Sequence, residues 1–215
     1  MDLSPDAETA LLVPESTDAL ILRATRGETR REVPLPGFDV GTTRFAGGTT
    51  DRAISVARTK SDKGYRLYSV ELRNGAVAPL SDEVVEDNFL EVSPRARWVA
   101  TRISSNGAMV PAIFALPDGK VSLISGLGPD LSPSGWANDS ELWLTIGDPV
   151  NQSSFKLIRY DVERRVTLGK ARTVDLGGGS MVRWVQVTPD GRNILLCHER
   201  GAGHLYVISG LTGAR

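Results

Sequence analysis

The residues of this chain best suited to catalysis are two histidines, His198 and His204, and its one cysteine, Cys197. His198 follows Cys197 directly on a predicted strand, where adjacent side chains point to opposite faces, so these two are badly placed to act as a pair. Nucleophilic catalysis also needs a group that orients the base, and no pattern in the sequence supplies one. The sequence therefore favours a structural or solvated role for His198.

Sequence motifs of the large enzyme classes are missing as well. The chain has no Gly-x-Ser-x-Gly elbow, no glycine-rich phosphate loop that ends in Lys-Ser or Lys-Thr, and neither His-Arg-Asp nor Asp-Phe-Gly. We predict that the chain is not an enzyme, has no catalytic residues and binds no cofactor.

An internal repeat organises the whole chain. A short turn followed by an apolar strand is clearest at Leu3–Asp6 before Thr9–Val13, and at Val187–Gly191 before Ile194–Cys197. Five equivalent turn positions follow one another at spacings of 45, 44, 44 and 51 residues: Pro5, Thr50, Pro94, Asn138 and Pro189. The apolar strand after each turn is followed by a second strand and then a third strand. In several repeats a tight hairpin turn such as Asn74-Gly75 joins the second strand to the third.

These repeats predict an all-β fold. One more strand precedes most of the turns, and about four antiparallel strands in about 40 to 50 residues form the blade of a β-propeller. No segment has a helical apolar period. We therefore predict one propeller region over residues 1–215, with about five four-stranded blades. The predicted repeats are 1–43, 44–86, 87–128, 129–178 and 179–215.

The two ends of the chain are expected to be incomplete. The first repeat is predicted to lack the strand before its turn, and the last to lack its outermost strand, so the chain is expected to be part of a larger propeller. The wide spacing of 51 is attributed to a longer connection between strands Lys156–Asp161 and Thr173–Leu176. Open strand edges would then permit self-association.

Two sets of recurring side chains could in principle bind a ligand: turn aspartates could bind a metal ion, and tryptophans could form a ligand platform. Asp51, Asp139 and Asp190 occupy equivalent turn positions and could offer oxygen ligands, but a turn aspartate normally accepts hydrogen bonds from its own backbone. We therefore predict no metal site. The tryptophans lie in or beside predicted strands, and packing between blades is favoured over a ligand platform. They are Trp98, Trp136, Trp143 and Trp184.

Charge and hydropathy exclude several kinds of partner. The 25 Lys and Arg residues nearly balance the 26 Asp and Glu residues, so the broad positive field that favours nucleic acids and anionic membranes is absent. No apolar run approaches the roughly 20 residues of a membrane helix, and the first residues lack a secretory signal. We expect no nucleic-acid partner and no membrane insertion.

The Ser/Thr-Pro-Asp-Gly turns resemble the TolB-type, WD-repeat-like propeller repeats of bacteria. The full Pro-Asp-Gly sequence occurs at Pro189–Gly191, and it has become Pro-Asp-Ala at Pro5–Ala7 and Pro-Arg-Ala at Pro94–Ala96. The C-terminal segment Val187–Leu211 is similar to the end of propeller regions attached to some bacterial serine/threonine protein kinases.

The resemblance implies a non-enzymatic module that binds a protein, a peptide or a small ligand, as the C-terminal sensor or scaffold of a kinase-like protein. One alternative is an accessory propeller of a peptidase-like hydrolase whose catalytic domain lies elsewhere, and another is a truncated product without a function of its own. The chain as it stands is expected to be soluble and cytoplasmic, or extracytoplasmic within a receptor-like kinase.

Recognition residues of propellers tend to lie on loops. Four segments at one equivalent repeat position, between the strand that follows the turn and the next strand, are predicted to form one binding face: Thr59–Tyr65, Ser104–Val110, Gly147–Ser154 and Glu199–Gly203. The candidate binding residues in them are Lys60, Asp62, Lys63, Asn106, Asp148, Asn151, Gln152 and Arg200.

Overall fold

The computed structural model describes residues 1–14, 18–116, 118–127, 130–147, 153–177, 181–188, 190–200 and 202–209. Within these ranges the chain forms strands and turns and no helix, so the all-β prediction is confirmed. The chain divides into two compact units, Met1–Leu123 and Ile124–Arg215.

Unit 1, Met1–Leu123, contains three antiparallel sheets of four strands each. Sheet 1 consists of β1 (Asp2–Leu3), β2 (Thr9–Leu12), β3 (Ala19–Ala24) and β4 (Arg30–Pro34). Sheet 2 consists of β5 (Phe38–Phe45), β6 (Arg52–Thr59), β7 (Arg66–Glu71) and β8 (Ala76–Pro79). Sheet 3 consists of β9 (Glu91–Val92), β10 (Trp98–Ser105), β11 (Ala108–Ala115) and β12 (Val121–Leu123).

Unit 2, Ile124–Arg215, contains two sheets in the part that the structure describes. Sheet 4 consists of β13 (Leu131–Trp136), β14 (Glu141–Gly147), β15 (Ser154–Asp161) and β16 (Val166–Asp175). Sheet 5 consists of β17 (Met181–Val187), β18 (Asn193–Arg200) and β19 (Ala202–Ser209). The predicted four-stranded repeat is thus present in four sheets, and the fifth shows three strands among the described residues.

Three details of the sequence prediction differ from the structure. The first repeat does have a strand before its turn, because Asp2 and Leu3 pair with Leu11 and Ala10. The wide repeat spacing is not taken up by a long connection, because β16 begins at Val166 and extends through the whole interval. The repeat limit predicted at residue 43 falls within β5.

The repeated turn is held by a hydroxyl at its first position. Ser93 accepts hydrogen bonds from the backbone N–H groups of Arg97 and Trp98 at 3.0 and 3.1 Å, and the Ser93 side chain is fully enclosed. Ser4 accepts in the same way from the Thr9 N–H at 2.9 Å. A serine or threonine recurs here because its oxygen satisfies backbone donors that the tight turn leaves unpaired.

The third turn residue after that hydroxyl has a left-handed backbone in three repeats. Gly191 has φ 65°, and its counterparts Ala7 and Ala96 have φ 57° and 49°. The turn geometry of Pro-Asp-Gly therefore persists where alanine has replaced glycine. Asp190 accepts a hydrogen bond from the Arg192 N–H at 3.0 Å, which confirms the predicted backbone role of this turn aspartate.

Sheets pack face to face inside unit 1. Strand β6 is buried on both faces: Ala53 and Ala57 join the core between sheets 1 and 2, whereas Ile54 and Val56 join the core between sheets 2 and 3. The alternation of a strand assigns its residues to the two neighbours in turn. Between them, the Ser55 hydroxyl lies 2.7 Å from that of Thr43, and both are buried.

Within each unit, the first strand of a sheet contacts the first strand of the next sheet. In unit 1, β1 contacts β5 and β5 contacts β9; in unit 2, β13 contacts β17. In unit 2, Trp143, Phe155 and Leu157 of sheet 4 pack against Val185 and Leu196 of sheet 5. Sheets that stack through their first strands and bury a core between consecutive faces are the arrangement expected of propeller blades.

Candidate binding face

The antiparallel order of the strands divides the connections of unit 1 between two rims. The connections between second and third strands, and those from one sheet to the next, lie at the same end of the sheets, which we call the upper rim. It carries residues 35–37, 60–65, 80–90 and 106–107. The lower rim carries the repeated turns, such as 93–97. The two predicted binding segments of unit 1 therefore lie at the same rim.

The predicted binding residues of unit 1 differ in exposure and in whether they already accept hydrogen bonds within the chain. Lys60 and Lys63 are exposed on the 60–65 loop. Asp62 is half-buried and accepts hydrogen bonds from the Thr59 N–H and hydroxyl, both at 2.8 Å, and these bonds lower the pKa of its carboxyl. Asp62 therefore shapes the loop, while the two lysines are available to a ligand.

The loop within the predicted segment Ser104–Val110 is shorter than the sequence predicted. Strands β10 and β11 extend to Ser105 and Ala108 and are joined by Asn106 and Gly107, whose φ angles are 51° and 79°. This is the two-residue hairpin turn that Asn-Gly favours. Asn106 is exposed at its tip.

The other predicted binding residues belong to unit 2. Asp148, Asn151 and Gln152 lie outside the described residues. The backbone of Arg200 ends β18 and pairs with Ala202.

Sequence reasoning missed the polar cluster at the centre of this rim, formed by Asp39, Arg58 and Tyr65. Asp39 and Arg58 are direct partners across β5 and β6. Nε of Arg58 donates to Oδ2 of Asp39 at 2.8 Å, Nη2 forms an ion pair with the same oxygen at 2.7 Å, and the Tyr65 hydroxyl donates to it at 3.0 Å. The guanidinium carbon lies 4.6 Å from the centre of the Tyr65 ring. Hydrogen bonding to Asp39 raises the pKa of Arg58.

This geometry leaves Arg58 able to bind. The contacts with Asp39 engage Nε and Nη2 and do not include Nη1, and 42% of the side chain is exposed. The carboxylate and the ring fix the guanidinium in one orientation, which lowers the entropy lost on binding. Arg58 can therefore present a fixed donor pair to a carbonyl or carboxylate.

A second arginine occupies the equivalent repeat position and is more enclosed. Arg102 forms an ion pair through Nη1 with Glu86 at 3.0 Å, donates from Nη2 to the Met109 carbonyl at 3.1 Å, and lies over the Phe89 ring at 5.5 Å. Only 18% of its side chain is exposed. Arg102 ties the 80–90 connection to sheet 3 rather than facing a ligand.

The signal that could have found both arginines is the repeat itself. Arg58 and Arg102 each stand eight residues after their turn position, Thr50 and Pro94. Their acidic partners are in different places, because Asp39 lies on β5 and Glu86 lies in the connection before β9. The pairing therefore becomes visible only with the strand register.

The 80–90 connection is the longest on this rim, and it is anchored. The buried Val85 bridges to Tyr65, which directly precedes β7, and to Ile103 of β10. The N–H and hydroxyl of Thr42 both donate to the Asp87 carbonyl, at 3.2 and 2.6 Å. These contacts fix the connection beside the Arg58 cluster.

The tryptophans do not share one role. Trp143 packs in the core between sheets 4 and 5, as predicted, and Trp136 is also buried. Trp184, on β17, is 39% exposed. Among the described residues, no group of three or more His, Cys, Asp or Glu side chains could hold a metal ion, and no helix has the length and hydropathy needed to cross a membrane.

Comparison with solved structures identifies the fold. TolB from Acinetobacter baumannii is 14% identical with a TM-score of 0.65, and the match covers 97% of this chain and 54% of that one. A TolB structure from Agrobacterium tumefaciens is 9% identical with a TM-score of 0.75, covering 99% and 77%. Dipeptidyl peptidase 4 from Porphyromonas gingivalis is 12% identical with a TM-score of 0.55, covering 97% and 37%.

These similarities show a TolB-type β-propeller fold, and at such identities they show the fold alone. The chain spans about half the length of the Acinetobacter protein. No protein-family model matches the sequence, and no curated protein matches it.

Proposed function

We propose that this chain is a non-enzymatic β-propeller module that binds a protein or peptide through the upper rim of unit 1. The observation that carries the proposal is the Arg58 cluster: a guanidinium held by Asp39 and Tyr65 that is 42% exposed, on the strand that leads into a loop with two exposed lysines. Rigid, half-exposed arginines stacked on aromatic rings are typical of recognition surfaces.

The chemistry of the rim favours a ligand with carbonyl or carboxylate groups. Lys60 and Lys63 add positive charge near Arg58, and a peptide backbone or an acidic side chain supplies matching acceptors. The attachment to a protein kinase, as sensor or scaffold, remains a prediction of the sequence resemblance.

A random twelve-residue peptide display library is the probe that tests this proposal. Peptides selected on the wild-type chain should bind the double variant Lys60→Ala/Lys63→Ala about three- to tenfold more weakly, because two exposed charges beside the ligand are lost. The matched control is Arg26→Ala/Arg73→Ala, which removes two exposed charges from the lower rim. Selected peptides that lose affinity with the control, and not with the upper-rim variant, would refute the proposal.

A second candidate function is an accessory propeller of a hydrolase. The similarity in fold to dipeptidyl peptidase 4 and to prolyl endopeptidases favours it, since the match covers 37% and 32% of those chains. In this case the partner is a catalytic domain. A peptidase domain encoded next to this chain that gains activity or selectivity when mixed with it would support this function, and an unchanged activity would count against it.

A further inference from the structure

The outermost strand of sheet 4 differs from the outermost strands of sheets 1, 2 and 3. Strand β16 has 10 residues, whereas β4, β8 and β12 have 5, 4 and 3. Strands β4 and β8 also end in proline, at Pro34 and Pro79. Short outer strands that end in proline offer few free backbone groups, which protects a sheet edge from pairing with another chain. Strand β16 has neither protection.

One side of β16 is open in the described part of the chain. The sheet order is β13-β14-β15-β16, so β16 pairs with β15 and has no strand on its other side. All of its residues are exposed except Leu168 and Val174, which are half-buried. About half of the backbone N–H and C=O groups of such an edge strand point away from its neighbour. Ten residues present these groups over roughly 33 Å.

A bulge divides the open edge into two parts. The register with β15 shifts between Leu157 and Arg159, and Gly169 has φ 75°. Val166–Leu168 and Arg172–Asp175 pair with β15 on either side of the shift. A partner strand would pair with these two parts and cross the bulge between them.

Positive charge is concentrated at this edge. Arg164 and Arg165 precede the strand, Lys170 and Arg172 lie within it, and exposed Lys156 lies on the neighbouring strand. Asp161, at the end of β15, forms an ion pair with Arg164 at 3.7 Å, and Glu163 and Asp175 stand at the two ends of the stretch. A second copy of β16 would bring like charges together, which disfavours self-pairing. An acidic strand would instead place carboxylates opposite these cations.

We infer that β16 is a pairing edge for an acidic, extended segment of a partner protein. The partner adds a strand to sheet 4: its backbone pairs with the open groups of β16, and its acidic side chains meet Lys170. This inference concerns unit 2 and does not rest on the role proposed for the upper rim of unit 1.

Fluorescence anisotropy with a labelled ten-residue peptide of alternating Glu and Thr tests the inference on the full chain. The peptide should bind, should weaken as salt rises, and should bind Lys170→Glu about three- to tenfold more weakly, because a contact charge is reversed. The matched control is Arg31→Glu, which reverses an exposed cation on outer strand β4 and should leave affinity unchanged. The same peptide with Lys in place of Glu should not bind.

Amide hydrogen exchange then separates strand pairing from simple charge attraction. Bound acidic peptide should slow exchange within Val166–Asp175, since pairing protects the open N–H groups. Absence of binding, equal loss of affinity in Arg31→Glu, or binding without protection of β16 would each overturn the inference. So would a ten-thymidine oligonucleotide that competes with equal affinity, because the edge would then bind polyanions in general.

Discussion

The left-handed backbone of the repeated turn predicts how exchanging alanine and glycine there changes the stability of the protein. Ala7 has φ 57° and is exposed, so the Ala7→Gly substitution changes the backbone preference and removes no packing. Gly191 is the equivalent residue of the last repeat, with φ 65°. A Cβ added there would lie 3.8 Å from Nε1 of Trp143, which is an ordinary contact. The two substitutions should therefore have opposite effects for the same conformational reason.

The size of the effect follows from two opposing terms. A non-glycine residue in the left-handed region costs about 1–2 kcal/mol, and glycine loses about 0.5–1 kcal/mol more conformational free energy than alanine on folding. Ala7→Gly should thus stabilise by about 0.5–1 kcal/mol, and Gly191→Ala should destabilise by a similar amount. For a chain of this size, 1 kcal/mol moves the melting temperature by about 2–4 °C.

Calorimetric melts of the variants measure this difference. The matched control is Ala76→Gly on β8, an exposed alanine without a positive φ, which should destabilise by about 0.5–1 kcal/mol. If Ala7→Gly lowered the melting temperature as Ala76→Gly does, the turn would not have the left-handed geometry, and the equivalence of the first and last repeats would be refuted.

Other substitutions probe the core and the upper rim. Thr43→Val leaves the buried Ser55 hydroxyl unpaired and should cost about 1–3 kcal/mol, and a double-mutant cycle with Ser55→Ala should show a smaller cost than the sum of the single changes. Val85→Ala leaves a cavity where the 80–90 connection is anchored and should cost about 1–3 kcal/mol, read from urea unfolding. Hydrogen bonds from Thr59 lower the pKa of Asp62, so its stabilising contribution is complete above the unfolded-state pKa and disappears as pH falls through the lowered folded-state value. The difference in melting temperature between wild type and Asp62→Asn should therefore be constant near neutral pH and should disappear below about pH 4.

The sequence predicted most strands because each one pairs an alternating or apolar run with a turn signal. Strand β1 escaped detection because two residues, Asp2 and Leu3, carry no alternation. The start of β16 was also missed: residues 166–172 are polar and include a bulge at Gly169, so they lack the period of a half-buried strand. Edge strands that face water on both sides carry little signal in their sequence.

The candidate site was predictable in its location and not in its chemistry. The repeat order placed the 60–65 loop correctly at a rim, and exposure of Lys60 and Lys63 follows from their type. The Asp39–Arg58 pair joins residues on separate strands, and it depends on a register that only the folded sheet defines. Within the described residues, the polar groups of this rim come from paired strand ends as much as from loops.

The central claim is that the upper rim of unit 1 is the recognition surface, and photo-crosslinking tests it most directly. A display-selected peptide that carries a benzophenone group would be irradiated with the full chain, and the attachment sites located by mass spectrometry. We predict that crosslinks fall within residues 58–66 and 80–90, around Arg58. Crosslinks confined to lower-rim turns such as 93–97 would contradict the claim.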